Sequence, residues 1–404
     1  LGVVSFTGIA SLGKIPNLVV FQKMFNGLNS FTLLAVPLFI LAANLMNEGE
    51  ITEKLIDCCN SLVGHLRGGL AYSNVLVSMI FAGISGSSQA DTAGVGKIFI
   101  PAMEKQGYDK GTSVGVTAAS STLGSIIPPS ITMVVYAGIA NVSTGALFMS
   151  GLVPGILLGL AMMAVVKYYS KRKNFPKCDR VPFKEVCRRT FQSLPALLTP
   201  IILIGGIVSG LFTPTESAAF ACIYALLVGI FFYKTIKFKD LPEIFLASAE
   251  MTGIIVFLIG VSSIMSWVMA FTDIPTLVSN ALLGISNNKY VIFFIINIIL
   301  LIVGTFMDMT PATLIFTPIF LPICQRLGMN VIHFGIMMIF NLCIGTITPP
   351  VGTTLFVGVK VGQTKIEQVI KPLLAHFAAI FIVLMLVSYI PALSMWLPGL
   401  LGYV

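Results

Sequence analysis

The sequence predicts an all-α polytopic membrane protein, and three observations carry this prediction. Of the 404 residues, 56% are hydrophobic and 10% are charged, whereas an average soluble domain carries about 25% charged residues. The mean hydropathy of +0.96 is far above what one buried core requires. The long apolar runs do not alternate with polar residues, which argues against a β-barrel. The same composition excludes a soluble enzyme, a disordered chain and a nucleic-acid-binding protein.

Apolar segments long enough to cross a membrane recur along the chain, since one span needs about 20 mostly apolar residues. Two further apolar stretches, 85–103 and 308–325, are shorter and contain Gly, Pro, Ser, Thr or Asp. We expect each of these to form a re-entrant helical hairpin, buried in protein or facing water. The ten span candidates are residues 31–46, 68–83, 111–141, 151–169, 193–211, 214–233, 250–271, 289–306, 331–361 and 373–397.

The net charge of +8 is concentrated in short segments between apolar runs. Nine of the 24 Lys and Arg residues lie between Lys167 and Arg189. Such a basic segment belongs on the cytoplasmic side by the positive-inside rule, so it reports topology rather than nucleic-acid contact. A second basic loop contains Lys234, Lys237 and Lys239. We therefore predict a first repeat over residues 1–170, a basic cytoplasmic loop over 171–192 and a second repeat over 193–404.

An internal repeat appears when the chain is shifted by 221 positions. Ten identities then fall between residues 83 and 129 without a gap, and most are Gly or Pro, which determine backbone shape. We infer that each half contains a hairpin followed by a helix broken at Pro-Pro, over residues 111–141 and 331–361. Six candidate spans separate equivalent points, whereas inverted repeats need an odd number. Either one candidate is not a full span or the repeats are parallel.

Two amphipathic segments lie between the spans, at 51–68 and 273–285. They are interfacial helices or arms that join two rigid bodies.

The hairpin sequences carry polar residues suited to binding ions. The first reads GISGSSQADTAGVG from Gly83, with Asp91 among several Ser residues, and the second contains Asp308 among Thr residues. An ionisable residue at membrane depth is costly and indicates a functional site by default. Unwound carbonyls, hydroxyls and a carboxylate are hard oxygen ligands for sodium, and free N–H groups at half-helix starts suit an anion. The alternative is a capping box or hinge with the carboxylate solvated.

Both broken helices crowd hydroxyls around a Pro-Pro pair. Each Pro-Pro removes two N–H donors and leaves carbonyls free one turn earlier. A single Pro kink needs no functional explanation, but two at the same register, each after a hairpin, are the best sequence indication of a secondary transporter's binding site.

These residues resemble a known family. The runs GISGSSQADTAGVG, IIPPSITMVVYAGIAN and ITPPVGTTLFVG look like the large membrane subunit of tripartite ATP-independent periplasmic (TRAP) transporters. The resemblance extends over essentially the whole chain. The family's first span is partly missing here, and the start LGVVSFTGIA lacks a Met, so we expect preceding residues.

The resemblance implies sodium-coupled import of an organic anion, of the sialic acid or C4-dicarboxylate class, across the bacterial inner membrane. A periplasmic binding protein delivers the anion, a small membrane subunit of about four spans braces the large one, and a transport domain moves against a scaffold as an elevator. Substrate contacts are expected at Ser87, Ser130 and Thr132. Sodium ligands are expected at Ser85, Gly86, Ser88, Asp91, Gly124, Ser125, Thr305, Asp308, Thr310, Gly345, Thr346 and Thr348.

Three alternatives remain at this stage. A sodium/dicarboxylate carrier or antiporter of related fold would work without a binding protein. A membrane enzyme would need paired carboxylates or a His cluster, and neither pattern is present. A channel would keep its pore open to both sides, whereas paired hairpins indicate occlusion.

Overall fold

A computed structural model describes residues 2, 5, 7–9, 18–48, 51–173, 175–177, 180–286 and 288–403, with the backbone alone at residues 51 and 52. These ranges contain helices and no strand. From α1 to α18, the helices are Leu18–Leu28, Ala35–Glu48, Ile51–Val63, Gly69–Ser85, Ser88–Lys105, Lys110–Ser121, Ile131–Ala140, Thr144–Arg172, Phe183–Val208, Pro214–Leu227, Leu241–Phe271, Ile274–Ile285, Lys289–Phe306, Met309–Arg326, Val331–Gly345, Thr353–Val361, Ile366–Tyr389 and Ala392–Leu400.

Seven helices in the described part of the chain are long and apolar enough to cross a membrane. Each contains or closely overlaps a predicted span, so the multi-pass prediction is confirmed. A helix of this kind satisfies its own backbone hydrogen bonds, which lipid cannot do. The seven are Phe31–Glu48, Thr144–Arg172, Phe183–Val208, Pro214–Phe232, Leu241–Phe271, Lys289–Phe306 and Ile366–Tyr389.

The predicted hairpin bounds are wrong. Residues 85–103 contain the last residue of α4, the turn and most of the continuous helix α5, and residues 308–325 contain a turn residue and most of its counterpart α14. The helix pairs are instead α4 with α5 and α13 with α14, each joined by a two-residue turn. The polar residues mark the start of a helix rather than a break within it, because Ser87 Oγ accepts a hydrogen bond from the Ala90 N–H at 3.5 Å. Helices α4 and α13 coincide with the predicted spans 68–83 and 289–306, and α13 is one of the seven helices long enough to cross a membrane.

The last predicted span, 373–397, is also two helices. Helix α17 ends at Tyr389, and α18 begins at Ala392 after Pro391. Ile390, with φ −116° and ψ 88°, leaves the helical region. A residue that precedes Pro is disfavoured in the helical conformation, which explains the break.

The two helix pairs enter the bundle from opposite ends. The base of each pair is the end away from its turn. At the base of the α4/α5 pair, the Gly68 N–H donates to Pro176 O at 3.0 Å and the Ser170 hydroxyl donates to Arg67 O. This end therefore carries the basic segment. The base of the α13/α14 pair lies at the other end, where the Tyr136 hydroxyl near the end of α7 donates to Val331 O at 2.7 Å. Helix α8, of 29 residues, begins at that far end and finishes at the basic end.

The start of α6 is attached to the basic end by an ion pair. Lys173 Nζ lies 2.7 Å from Asp109 Oδ2, and Asp109 also caps α6 by accepting from the Thr112 N–H at 2.8 Å. Partial burial raises the pKa of Asp109, but the hydrogen bonds from Lys173 and Thr112 outweigh it and hold the pKa below its usual value.

Helices α2, α9, α10 and α11 form an outer group beside the two helix pairs. The Cys222 thiol of α10 donates to Leu38 O of α2 at 3.0 Å, and Asn44 of α2 donates to Ser248 Oγ of α11 at 2.8 Å. Helix α3 contacts both this group and α4, and α12 contacts both α11 and α14. The two amphipathic segments thus connect the outer group to the helix pairs.

Helices α13 and α15 cross at a glycine contact, which leads to a stability prediction. A Cβ on Gly304 would lie 3.0 Å from Gly345 Cα, and a Cβ on Gly345 would collide with the Gly304 backbone. We expect Gly345→Ala to lower the free energy of unfolding by about 1–3 kcal/mol through overpacking. The thermal unfolding midpoint in detergent measures this loss.

Gly205→Ala is the matched control, because nothing lies within 4 Å of a Cβ at that position of α9. Its midpoint should stay the same or rise slightly, since Ala favours a helix over Gly. Equal midpoints for the two variants would contradict the close crossing of α13 and α15.

Candidate functional site

The turn between α4 and α5 places several Ser residues at the centre of the bundle. Gly86 has φ +63°, and a Cβ there would lie 2.6 Å from Pro129 O, so this turn requires glycine. The Ile131 N–H donates to Gly86 O at 3.3 Å, which attaches the turn to the start of α7. The Ser88 and Ser125 hydroxyls lie 3.1 Å apart. The first turn therefore rests directly on the first broken helix.

Asp91 lies behind this turn and is fully buried. The Ser85 hydroxyl donates to Asp91 Oδ1, whereas Asp91 Oδ2 has no hydrogen-bond partner among the described residues. A Cβ on Gly124 would collide with Asp91 Oδ2, so that oxygen faces the backbone of the broken helix. A buried oxygen without a donor is costly, which makes this position a candidate for binding a cation.

Both broken helices are interrupted at their Pro-Pro pairs. Helix α6 ends in a 3₁₀ turn over Thr122–Ser125, and α7 begins at Ile131. Helix α15 ends at Gly345, and α16 begins at Thr353. Both Pro-Pro peptide bonds are cis.

The second turn and the second break share backbone hydrogen bonds. Thr305 O accepts from the N–H groups of Val351 and Gly352, each at 3.2 Å. Gly352 has φ +53°, and a Cβ there would lie 2.9 Å from Thr348 O and 3.1 Å from Thr346 O. Two carbonyl oxygens of the break therefore converge on this glycine.

A direct hydrogen bond joins the two turns. Gln89 at the start of α5 donates from Nε2 to Asp308 Oδ1 at 2.7 Å, and the Thr353 hydroxyl donates to the same oxygen at 3.2 Å. The sequence analysis had not assigned a role to Gln89 or Thr353. No local pattern could have paired Gln89 with Asp308, because 219 positions separate them.

One cavity of about 240 Å³ lies between the two turns and helix α11. Its polar lining combines hydroxyls, an amide and a carboxylate, and none of its described lining residues is Lys or Arg. Helix α11 closes it with apolar side chains that no sequence pattern distinguished from an ordinary span. The lining is Gly86, Ser87, Ser88, Gln89, Ser125, Ile131, Thr132, Met251, Ile254, Ile255, Leu258, Asp308, Met309 and Thr310.

Some of the predicted site residues line this cavity, and the others lie outside its lining. The predicted substrate residues Ser87 and Thr132 line the cavity. Ser130 does not, because its buried hydroxyl accepts from the Met133 N–H at 3.4 Å as the cap of α7. Among the predicted sodium ligands, those in the lining are Gly86, Ser88, Ser125, Asp308 and Thr310, and those outside it are Ser85, Asp91, Gly124, Thr305, Gly345, Thr346 and Thr348.

Helix ends are sorted by polarity around the cavity. Helices α5, α7 and α14 all begin at lining residues, so their positive dipole ends point towards one space. Helices α4, α13 and α15 end behind the turns, where carbonyl groups carry the negative dipole ends. The helix dipoles favour an anion within the cavity and cations behind the turns, whereas the Asp308 carboxylate in the lining opposes an anion.

A larger cavity, of about 630 Å³, adjoins the first and shares Met251 with it. Lys97 of α5 lies on one wall, towards the base of the α4/α5 pair. The acidic side chains among its lining residues are Glu48, Glu53, Asp240 and Glu243.

A family model for the DctM component of tripartite ATP-independent periplasmic transporters matches residues 1–393. The chain belongs to this family. It is a transporter permease component, not an enzyme. The resemblance found in the sequence is thereby confirmed.

Three curated relatives bear names of this family. The C4-dicarboxylate TRAP transporter large permease protein DctM of Pseudomonas aeruginosa is 40% identical over 94% of this chain and 89% of its own length. The sialic acid TRAP transporter large permease protein SiaM of Vibrio cholerae is 37% identical over 95% of this chain and 90% of its own length. The isethionate TRAP transporter permease protein DctMQ of Oleidesulfovibrio alaskensis is 38% identical over 99% of this chain, which spans 63% of that relative.

Among solved structures, the YdaH transporter of Alcanivorax borkumensis has a similar fold. The TM-score is 0.67 at 12% sequence identity, and the match covers 94% of this chain and 88% of that one. At this identity the likeness concerns the fold alone.

The contact between Gly124 and Asp91 leads to a prediction about activity. We expect Gly124→Ala to lower the uptake rate by at least ~10-fold, because the added methyl group displaces the Asp91 carboxylate and a small misplacement at a binding site is costly. Uptake into proteoliposomes, with the partner subunits present, measures the effect.

Gly138→Ala, in the second half of the same broken helix, is the matched control. A Cβ there meets only Leu33, at an ordinary 3.6 Å. Wild-type uptake by Gly124→Ala would contradict a role for the Asp91 position.

Proposed function

We propose that this chain is the large membrane subunit of a sodium-coupled secondary transporter in the bacterial inner membrane, and that it imports an organic anion. The observation that carries the proposal is the cavity of about 240 Å³ that both turns line together. Two interrupted segments at corresponding places in two halves are typical of a secondary transporter's central binding site.

The anion is held by helix N-termini and hydroxyls. Three helices begin at the cavity, and Ser87, Thr132 and Thr310 supply hydroxyl groups. N–H groups and the positive ends of helix dipoles bind carboxylates without Lys or Arg. The three relatives are named for C4-dicarboxylates, sialic acid and isethionate, all small organic anions. The substrate class proposed here is therefore a small organic acid.

Sodium binds behind the two turns. In the first half, Asp91 Oδ2 lacks a hydrogen-bond partner and Ser85 and Gly124 lie beside it. In the second half, the carbonyls of Thr346 and Thr348 converge near Gly352. Oxygen donors of this kind match a hard monovalent cation, and the cation would neutralise Asp91 within the bundle.

The two halves form inverted repeats. With the α4/α5 and α13/α14 pairs as re-entrant hairpins, five crossings separate them: the broken α6/α7 helix, then α8, α9, α10 and α11. An odd number turns the second hairpin over, which agrees with the opposite ends at which the two bases lie. The count of six made from the sequence included 289–306, which is α13 and becomes one arm of the second hairpin in this proposal.

Transport follows an elevator movement of the hairpins and broken helices against the outer group. The cavity lies between these parts, because α11 forms its apolar wall. Helices α3 and α12 contact both parts and would act as the connecting arms.

Two further chains complete the transporter. The family is described as tripartite and periplasmic, which supports a soluble binding protein that delivers the anion. A relative with the combined name DctMQ extends well beyond this chain, which supports a small membrane subunit as the second partner. A stable complex with that subunit should survive mild detergent.

Replacing Asp91 tests the sodium site. We expect Asp91→Asn to raise the sodium concentration that half-saturates uptake by ~10–100-fold, because the substitution removes the anionic ligand. Initial uptake rates across a sodium series measure this shift. Asp57→Asn, which removes an exposed carboxylate of α3, is the control and should behave as wild type. An unchanged sodium dependence in Asp91→Asn would remove this site from the mechanism.

Reconstitution tests the complete proposal. The large and small subunits in proteoliposomes, with a cognate binding protein outside, should accumulate substrate only under an inward sodium gradient. Uptake without the binding protein would instead indicate a conventional carrier of the same fold. Uptake that ignores sodium would overturn the coupling.

A further inference from the structure

A basic cavity of about 690 Å³ lies at the cytoplasmic end of the molecule, far from the site between the turns. Its lining comes from three separate segments: the base of the α4/α5 pair, the end of α8 and the loop that follows α8. Five Lys or Arg side chains line it: Arg67, Lys167, Lys171, Lys177 and Arg180.

The positive-inside rule explains why basic residues lie at this end, but not why they surround one cavity. No Asp or Glu is among the described lining residues, and no ion pair among the described residues includes any of the five cations. Asp179 lies outside the described residues. Five cations around one space repel one another unless an anion lies among them. The nearby Lys173, in contrast, is paired with Asp109.

Hydrogen bonds and close packing join the segments that surround this cavity. The Gly68 N–H donates to Pro176 O at 3.0 Å, and the Ser170 hydroxyl donates to Arg67 O. A Cβ on Gly68 would lie 3.1 Å from Ser170 Cβ and 3.3 Å from Phe175 Cδ2, so the end of α8 and the loop both pack closely on the base of α4. These contacts thus hold the base of α4, the end of α8 and the start of the following loop together beside the cavity.

The cavity wall is apolar as well as cationic. Leu66, which is 40% exposed, and Tyr72 belong to the lining, and Lys side chains present their methylene stems to such surfaces. Exposed Tyr168 lies on the same end of α8, and Tyr is enriched at the level of lipid headgroups. This lining matches a ligand that combines an anionic group with an apolar chain.

We propose that this cavity binds the phosphate headgroup of an acidic phospholipid from the cytoplasmic leaflet. Basic pockets between membrane helices on this side bind anionic headgroups. The headgroup phosphate lies among the five cations, and the first part of an acyl chain contacts Leu66 and Tyr72. The lipid would therefore join the base of the first hairpin to the end of α8.

The test compares three purified proteins, each in complex with the small subunit and delipidated in detergent. The cavity variant carries Lys171→Gln, Lys177→Gln and Arg180→Gln. The control variant carries Lys184→Gln, Lys237→Gln and Lys239→Gln, which removes the same charge from exposed positions outside the cavity. Each is titrated with phosphatidylglycerol, phosphatidylcholine or inorganic phosphate. Thermal unfolding midpoints and native mass spectrometry report binding.

We expect phosphatidylglycerol to raise the midpoint of the wild type and of the control variant. The cavity variant should bind it at least ~10-fold more weakly, because the attraction of an acidic lipid grows with each cation. A variant with Lys171→Arg, Lys177→Arg and Arg180→Lys keeps the positive charge and should bind the lipid as the wild type does. This control shows whether the cavity variant fails through lost charge or through misfolding. Added salt should weaken binding in the wild type.

Three results would overturn the proposal. Equal binding by the cavity and control variants would show that these cations do not select the lipid. An equal response to phosphatidylcholine would show that the headgroup charge is not recognised. Inorganic phosphate acting as strongly as phosphatidylglycerol would assign the cavity to a soluble phosphate compound instead. None of these readouts depends on transport, so they are independent of the function proposed above.

Discussion

The structure depends on how helices can end inside a membrane protein. Every helix end leaves N–H and C=O groups without partners, and lipid supplies none. Here the ends satisfy one another: Gly86 O accepts from the Ile131 N–H, and Thr305 O accepts from the N–H groups of Val351 and Gly352. Each turn is therefore placed against a broken helix. That requirement brings both turns and both Pro-Pro breaks to the centre of the bundle.

The sorting of helix polarity follows from the same placement. Helices α5, α7 and α14 begin at residues that line a common cavity, and helices α4, α13 and α15 end outside that lining. Asp91 belongs to the second region, beside Ser85 and Gly124. One backbone arrangement thus separates a space suited to an anion from positions suited to cations, without a basic side chain in the described lining of the cavity.

Much of the fold could be predicted, because hydropathy and the positions of Gly and Pro act locally. The multi-pass class, most of the spans and the family were accessible in this way. The hairpin bounds were not. An apolar helix of 17 residues such as Gly69–Ser85 has the same pattern whether it crosses the membrane or forms one arm of a hairpin. Its packing against α5 after a two-residue turn is a tertiary contact that this pattern does not contain. The candidate site was also predictable only in part. Ser87 and Thr132 could be predicted as lining residues from their motifs, whereas no sequence pattern marked the residues of α11 that form the apolar wall.

The sequence by itself determined what kind of protein this is and which short motifs carry polar groups at membrane depth, because composition and runs such as GISGSSQAD are readable along the chain. The tertiary structure alone decided which of those groups meet. The hydrogen bond from Gln89 to Asp308 joins residues 219 positions apart, and the basic cavity combines side chains from three segments. Ser130 lies in a motif with its neighbours but caps α7 outside the cavity. Contacts of this kind arise from packing between distant helices, which periodicity and local motifs do not encode.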